Sequence, residues 1–116
     1  MTTTRRVVPV LTVDDIATDA PRWASILGLR VVMDHGWIVT LADDTLTHQL
    51  SLMTRDETAP VNPDASIEVD DVDAAHALAV EQGLEVVHGP HDEPWGVRRF
   101  FVRDANGNVV NVLGHR

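Results

Sequence analysis

Apolar and polar positions along the chain fall into short strand-like stretches, broken twice by helical spacing. Residues Arg6 to Val13 read as a strand. Asp19 and Pro21 then open a helix that Gly28 ends. Trp23, Ile26 and Leu27 stand at i, i+3 and i+4 and form its apolar stripe. Three strands follow: Leu29 to Met33, Trp37 to Leu41 and His48 to Met53. The order then returns. A strand from about Ala65 to Val69 leads to a helix capped by Asp71 and running to Gly83, with Val72, Ala75, Leu78 and Ala79 facing inward. Strands Leu84 to His88, Val97 to Arg103 and Asn108 to Leu113 complete the pattern. Thr54 to Pro63 ("TRDETAPVNP") has two prolines and no period, and reads as a linker. His88 to Pro94 ("HGPHDEP") reads as a loop before the seventh strand.

The recurrence is also written in the residues. Val13-Asp14-Asp15 returns as Val69-Asp70-Asp71, 56 positions on, and the "GLRVV" at Gly28 returns as "GLEVV" at Gly83, 55 positions on. Two anchors with nearly one offset indicate an internal duplication. The expected fold class is α+β, a single domain of residues 1–116 built from two βαβββ modules. Module one spans about 5–54, the linker about 55–63 and module two about 64–114. The paired aspartates cap the two helices, because a carboxylate accepts the free N–H groups of a first turn.

Strand side chains alternate between faces. Leu50 and Leu52 share one face, as do Ala65, Ile67 and Val69, and Val110 and Val112; these uniformly apolar sets are expected under the helices. The opposite sets are mixed: Gln49, Ser51 and Met53; Ser66 and Glu68; Val109, Asn111 and Leu113. Either that face is solvated, as one side of an antiparallel sheet often is, or it curves into a pocket. Met53, Val109, Leu113, Val8 and Val10 favour a pocket, since a wetted face would carry more charge.

Composition narrows the function classes. No apolar run approaches the ~20 residues of a membrane helix, and the N-terminal "MTTTRRVVPV" has no secretion-signal pattern, so a cytoplasmic location is expected. The absence of cysteine removes disulfides, thiolate metal sites and cysteine nucleophiles. A formal charge of −9 argues against nucleic acid, which needs a basic face, and suits a cationic ligand.

The ordered set of features resembles the vicinal oxygen chelate superfamily of glyoxalase I, extradiol dioxygenases and bleomycin-resistance proteins. It comprises paired βαβββ modules, "V-x-D" after the first strand of each, Leu27-Gly28 after the first helix, and Asp104-Ala105-Asn106-Gly107-Asn108 before the last strand. Ala105, where the family favours Pro, and Arg22-Trp23, where it favours Phe-Tyr, depart from the pattern. The resemblance implies a curved, cup-shaped mixed sheet with the helices on its outer face. It also implies four equivalent metal positions, on the first and last strands of each module. Here they fall on Val8, Gln49 (His48 if the register slips by one), Asp64 and Asn111. Val has no donor and Asn is a weak neutral ligand, so the metal set is degenerate and no cofactor is expected; the alternative is a divalent metal.

"VPVLTVDD" (Val8 to Asp15) and "FFVRDANGN" (Phe100 to Asn108) look like the metal-free bleomycin-resistance type. That type implies a homodimer that sequesters a drug or metabolite in clefts at its interface, without turnover. Two other readings stay open. One is a metal-dependent lyase, isomerase or dioxygenase using His48 or Gln49 with Glu68. The other is an accessory domain without a pocket. Whether modules pair within or between chains also stays open.

Candidate ligand contacts follow from faces and loops. Trp95, beside Gly96, and Trp37, at the start of a strand, are stacking platforms. Gln49, Ser51, Glu68 and Asn111 supply polar groups on the mixed face. Arg98 and Arg99 alternate, so one faces the site; Arg98 with Phe100 is the pair assigned to it. No residue is assigned as catalytic, and His88 and His91 make a weak metal pair across Pro90.

Overall fold

A computed structural model describes residues 1–116. The chain forms two compact units, Val8–Asn62 and Pro63–Arg116 with Met1–Val7. No helix is long and apolar enough to cross a membrane.

In the unit Val8–Asn62 the strands are the later part of β1 (Thr4–Thr12), β2 (Arg30–Asp34), β3 (Ile38–Ala42) and β4 (Gln49–Met53). They lie in the order β2-β3-β4-β1. Neighbours are antiparallel except β4 and β1, which run parallel with Val10 opposite Ser51. Helix α1 (Ile16–Leu27) starts a turn earlier than Asp19 and Pro21 suggest. Asp15 is extended and its carboxylate accepts the Ala17 N–H and the Thr18 hydroxyl, a complete cap ahead of the proline. Pro21 therefore sits inside the helix, where its missing N–H leaves one ladder bond unmade. Gly28, at φ 68°, ends the helix. The helix covers Val39, Leu41, Leu50 and Leu52 with Ala20, Trp23 and Ala24. The linker has no period but is ordered by its side chains. Buried Asp56 accepts the Thr58 N–H, and Asn62 accepts the Asp56 N–H while its amide donates to Thr12 Oγ1 and the Thr54 carbonyl.

The second unit repeats this plan with β5 (Ala65–Val69), α2 (Val72–Glu81), β6 (Glu85–Asp92), β7 (Val97–Arg103) and β8 (Val109–His115). Its order is β6-β7-β8-β5, with β5 parallel to β8 and Ser66 opposite Asn111. In both units the first strand thus closes on the last with the same sense, which is the duplication in three dimensions. Asp71 caps α2 by accepting the Ala74 N–H at 3.0 Å. Val72 and Ala75 of α2 pack on Val69 and Phe100, with Ile67, Val102 and Val112 in the same cluster. The N-terminal residues join this unit through Asp70, whose carboxylate accepts the Thr3 N–H at 2.7 Å and the Thr2 hydroxyl at 3.0 Å.

The stretch His88 to Asp92, expected as loop, is strand. β6 runs through it, pairing His88 with Phe101 and His91 with Arg99, with register shifts on the way and a cis Gly89–Pro90 bond. An outer strand tolerates a proline at such an irregularity, because no neighbour needs its N–H. Gly89 has φ 77°, and a Cβ there would stand 2.5 Å from the Arg99 carbonyl oxygen and 3.2 Å from the Phe100 Cα.

Candidate functional site

The turn before β8 sets the register of its side chains. Asp104 accepts the N–H groups of Asn106 and Asn108, each at 2.9 Å, and the Asn108 amide at 2.9 Å. These bonds, the Asn108 side chain's foremost, hold the Asp104 carboxyl below its ordinary value. Gly107 takes φ 85° at no steric cost. β8 then turns Val112 to the helix and Val109, Asn111 and Leu113 to the opposite face, as alternation predicts. Those three are buried, and so are Val8, Val10, Ser51 and Met53 of the other mixed sets, so these residues are not wetted.

Asn111 is the polar centre of its face, only 8% exposed. Its Nδ2 donates to Ser66 Oγ at 3.1 Å, which fixes the orientation of the amide. Its Oδ1 is buried and has no hydrogen-bond partner. A buried acceptor without a donor costs about 1–3 kcal/mol and is uncommon in a native fold. Glu68, on the neighbouring strand, is paired with Arg6 at 3.2 Å and with His115 at 3.7 Å.

β7 corrects one expectation. Arg98 and Phe100 do not share the Asn111 face. Phe100 is in the core under α2, edge-on to His76. Arg98 donates to Asp73 of α2 at 3.0 and 2.9 Å and to Asp92 at 3.0 Å. Asp92 and then Asp73 raise its pKa further. The residues beside Asn111 and Leu113 are Phe101 and Arg99. The Arg99 guanidinium lies 5.1 Å from the Trp95 ring centroid and 4.9 Å from that of Phe101. Its Nε is 3.3 Å from Glu93 Oε1, with both side chains buried, and His88 Nε2 is 3.4 Å from the same oxygen. His88 also meets Phe101 at 5.3 Å. A turn places Trp95 here: the Glu93 N–H donates to the Val97 carbonyl and the Gly96 N–H to that of Glu93. The unit Pro63–Arg116 therefore gathers Asn111, Ser66, Trp95, Phe101, Arg99, Glu93 and His88. Sequence reasoning missed Glu93, Arg99 and Phe101 as site residues; the only signal was an acidic residue, Glu93, just ahead of Trp95 in the stretch read as a loop.

The expected residues of the other unit stand as follows. Gln49, not His48, opens β4, opposite Ala42. Its Nε2 donates to the Leu46 carbonyl at 2.8 Å. Ser51 and Thr40 hydroxyls bond at 2.8 Å. Trp37 is half-buried ahead of β3, and its carbonyl accepts the Thr54 N–H. His48 lies exposed in the β3–β4 turn, its Nδ1 2.8 Å from Asp43 Oδ2. That bond is the first cause lowering Asp43 from 3.8 to about 2. An open groove of about 380 Å³ is lined by Thr12, Val13, Asp14, Thr54, Arg55 and Asn62, and holds none of the expected contacts.

The four metal positions lack a competent set of donors. Val8 has no donor atom. The Asp64 N–H donates to the Val109 carbonyl and its carboxylate accepts the Val109 N–H at 2.9 Å, so Asp64 extends the β5–β8 ladder. Gln49 is turned to a backbone carbonyl and Asn111 is neutral. No three His, Asp or Glu side chains converge. This donor set does not fit a divalent ion.

A model of the Glyoxalase/Bleomycin resistance protein/Dioxygenase superfamily matches residues 6–112. A search of curated proteins gave no match. Among solved structures, the chain resembles an NAD-dependent benzaldehyde dehydrogenase from Legionella pneumophila (TM-score 0.77, 14% identity, covering 95% of this chain and 99% of that one). It also resembles a glyoxalase/bleomycin resistance protein/dioxygenase superfamily member from Vibrio splendidus 12B01 (0.68, 19%, 97% and 99%). A third likeness is a 2,3-dioxygenase from Pseudomonas sp. KL28 (0.64, 16%, 91% and 40%). At such identities the likeness is one of fold.

Proposed function

Since the chain belongs to the glyoxalase/bleomycin resistance/dioxygenase superfamily, we propose that it is a metal-independent small-molecule binding protein of the drug-resistance kind. It sequesters a drug or metabolite, as a homodimer, without turnover. The observation that carries this reading is the state of the metal positions in the second unit. Asp64 is spent on the β8 backbone, and Asn111 presents a neutral amide where a metal-dependent relative needs an anionic or imidazole donor. The buried, unpaired Asn111 Oδ1 supports it, because an N–H or O–H of an organic ligand satisfies that acceptor without a metal. Trp95, partly exposed, adds aromatic surface in the same unit, and the acidic chain suits a cationic ligand.

The test is titration of native protein with bleomycin and a panel of cationic aromatic drugs, read by tryptophan fluorescence with and without EDTA. Metal analysis of the same preparation runs alongside. Expected is substoichiometric metal and saturable quenching that EDTA leaves unchanged and Trp95→Phe reduces. A stoichiometric divalent ion whose removal abolishes binding overturns the reading.

A further inference from the structure

Of Trp95, Phe100 and Phe101 in the second unit, only Trp95 reaches solvent, at 38% exposed. It stands in the short turn between β6 and β7. An indole on a turn turns about its side-chain bonds, and a ligand that stacks on it must freeze that motion. Here the ring is held from within the protein. The Arg99 guanidinium lies over the indole, 5.1 Å from its centroid, and 4.9 Å from the centroid of Phe101. The guanidinium is itself fixed. Its Nε is 3.3 Å from Glu93 Oε1, that oxygen is 3.4 Å from His88 Nε2, and the His88 ring meets Phe101 edge-on at 5.3 Å. These contacts close a circuit, Arg99 to Glu93 to His88 to Phe101 and back to Arg99. Trp95 joins it twice: across space to Arg99, and along the chain to Glu93, two residues earlier.

The strand pair does not need this circuit. Backbone partners His91 with Arg99 and Asp92 with Arg98 set its register. Backbone bonds close the turn, the Glu93 N–H donating to the Val97 carbonyl and the Gly96 N–H to that of Glu93. Nor does stability call for charge, because apolar side chains of like volume often serve a buried position as well as an ion pair. What an apolar side chain does not supply is a flat cation, which seeks the face of an indole and stacks on it.

We propose that Arg99 is a positioning residue for Trp95, holding the indole so that its exposed part is already set when a flat ligand stacks on it. Glu93 fixes the guanidinium, and His88 and Phe101 complete its seat. The role in binding rests on the reading of Trp95 as a ligand platform; the setting of the ring is measured without any ligand.

The test labels the full chain with 5-fluorotryptophan. Trp23, Trp37 and Trp95 each give a fluorine resonance, and Trp95→Phe assigns the third. Arg99→Lys keeps a positive charge for Glu93 and removes the planar group. The Trp95 resonance is expected to move toward its position in the unfolded chain and to show a larger solvent isotope shift, with Trp23 and Trp37 unmoved. In bleomycin titrations read by the same resonances, Arg99→Lys is expected to bind about two- to tenfold more weakly, the cost of freezing one side chain on binding. The combined variant Arg99→Lys/Trp95→Phe is expected to bind no more weakly than Trp95→Phe, because Arg99 acts through the ring. Circular dichroism checks the fold. Glu93→Leu/Arg99→Met, which strands no charge, is expected to move the Trp95 resonance in the same way and stands in if Arg99→Lys does not fold. A Trp95 resonance unmoved in the folded variants, or binding losses that add in the combined variant, overturns the proposal. If the native chain does not bind bleomycin, the drug reading loses its support, and the resonance alone still decides whether Arg99 sets the ring.

Discussion

Neutralising Glu93 is expected to cost a large part of the stability of the second unit. Glu93 and Arg99 side chains are 3% and 5% exposed and 3.3 Å apart. An exposed pair at that distance contributes about 0–1 kcal/mol. A buried one behaves differently, because removing one partner strands the other charge away from water, at about 3–5 kcal/mol. Domains are stable by about 5–15 kcal/mol, so Glu93→Gln is expected to consume about a fifth or more of that. The control replaces both groups. Glu93→Leu with Arg99→Met leaves no charge behind and forfeits mainly the guanidinium stacking between Trp95 and Phe101, about 1–2 kcal/mol. Urea unfolding followed by circular dichroism and tryptophan fluorescence measures both variants at constant slope. If the double variant costs as much as Glu93→Gln, or if Glu93→Gln costs under about 1 kcal/mol, the pair is not acting as a buried ion pair and the reasoning is wrong.

Phe100→Ala should destabilise by about 3–5 kcal/mol in the same assay, since Phe100 fills the core under α2. At temperatures where the variant remains folded, drug quenching should be unaltered. Asp71→Ala removes the cap of α2 and should cost about 1 kcal/mol, read as a lower urea midpoint. Gly89→Ala forces a Cβ against the Arg99 carbonyl and should disturb β6–β7 pairing, seen as faster amide exchange along both strands. For Asp43, the folded carboxyl titrates at about 2 against an ordinary 3.8. A depressed acid stabilises the fold above its unfolded value and loses that contribution as pH falls through the folded one. Melting curves of wild type and Asp43→Asn should therefore differ above about pH 4 and converge toward about pH 2.

The faces of β4, β5 and β8 were legible because each has one apolar phase and one mixed phase. Leu50 and Leu52, Ile67 and Val69, and Val112 go under the helices as their alternation requires. β7 was not legible, and the reason is in its letters. Arg98-Arg99-Phe100-Phe101 places one arginine and one phenylalanine in each phase, so alternation has no preference. The tie is broken by partners far along the chain or across a turn: Asp73 and Asp92 hold Arg98 on the helix side, while Glu93 and Trp95 hold Arg99 on the other. The start of α1 was misplaced by a similar competition, since Asp15 and Asp19 are both good caps and Pro21 favours the later one. The bonds of Asp15 to Ala17 and Thr18 settle it. Asp64 was read through a distant resemblance as a degenerate metal position, and nothing local told that its carboxylate would meet the Val109 N–H, 45 residues away.

That last bond bears on how the protein can change. Two backbone groups of Val109 are satisfied by one residue, one by the Asp64 N–H and one by its carboxylate, so any substitution that frees the Asp64 side chain for another task leaves the Val109 N–H without its acceptor. A glutamate at Asn111 alone would leave the Asp64 carboxylate bonded to the Val109 N–H. A metal centre built on Asp64 and Asn111 would need both replaced or released, and releasing Asp64 lowers stability before any gain in chemistry. The position is entrenched: selection acting one residue at a time meets a loss of stability at Asp64 before any new role there can be gained.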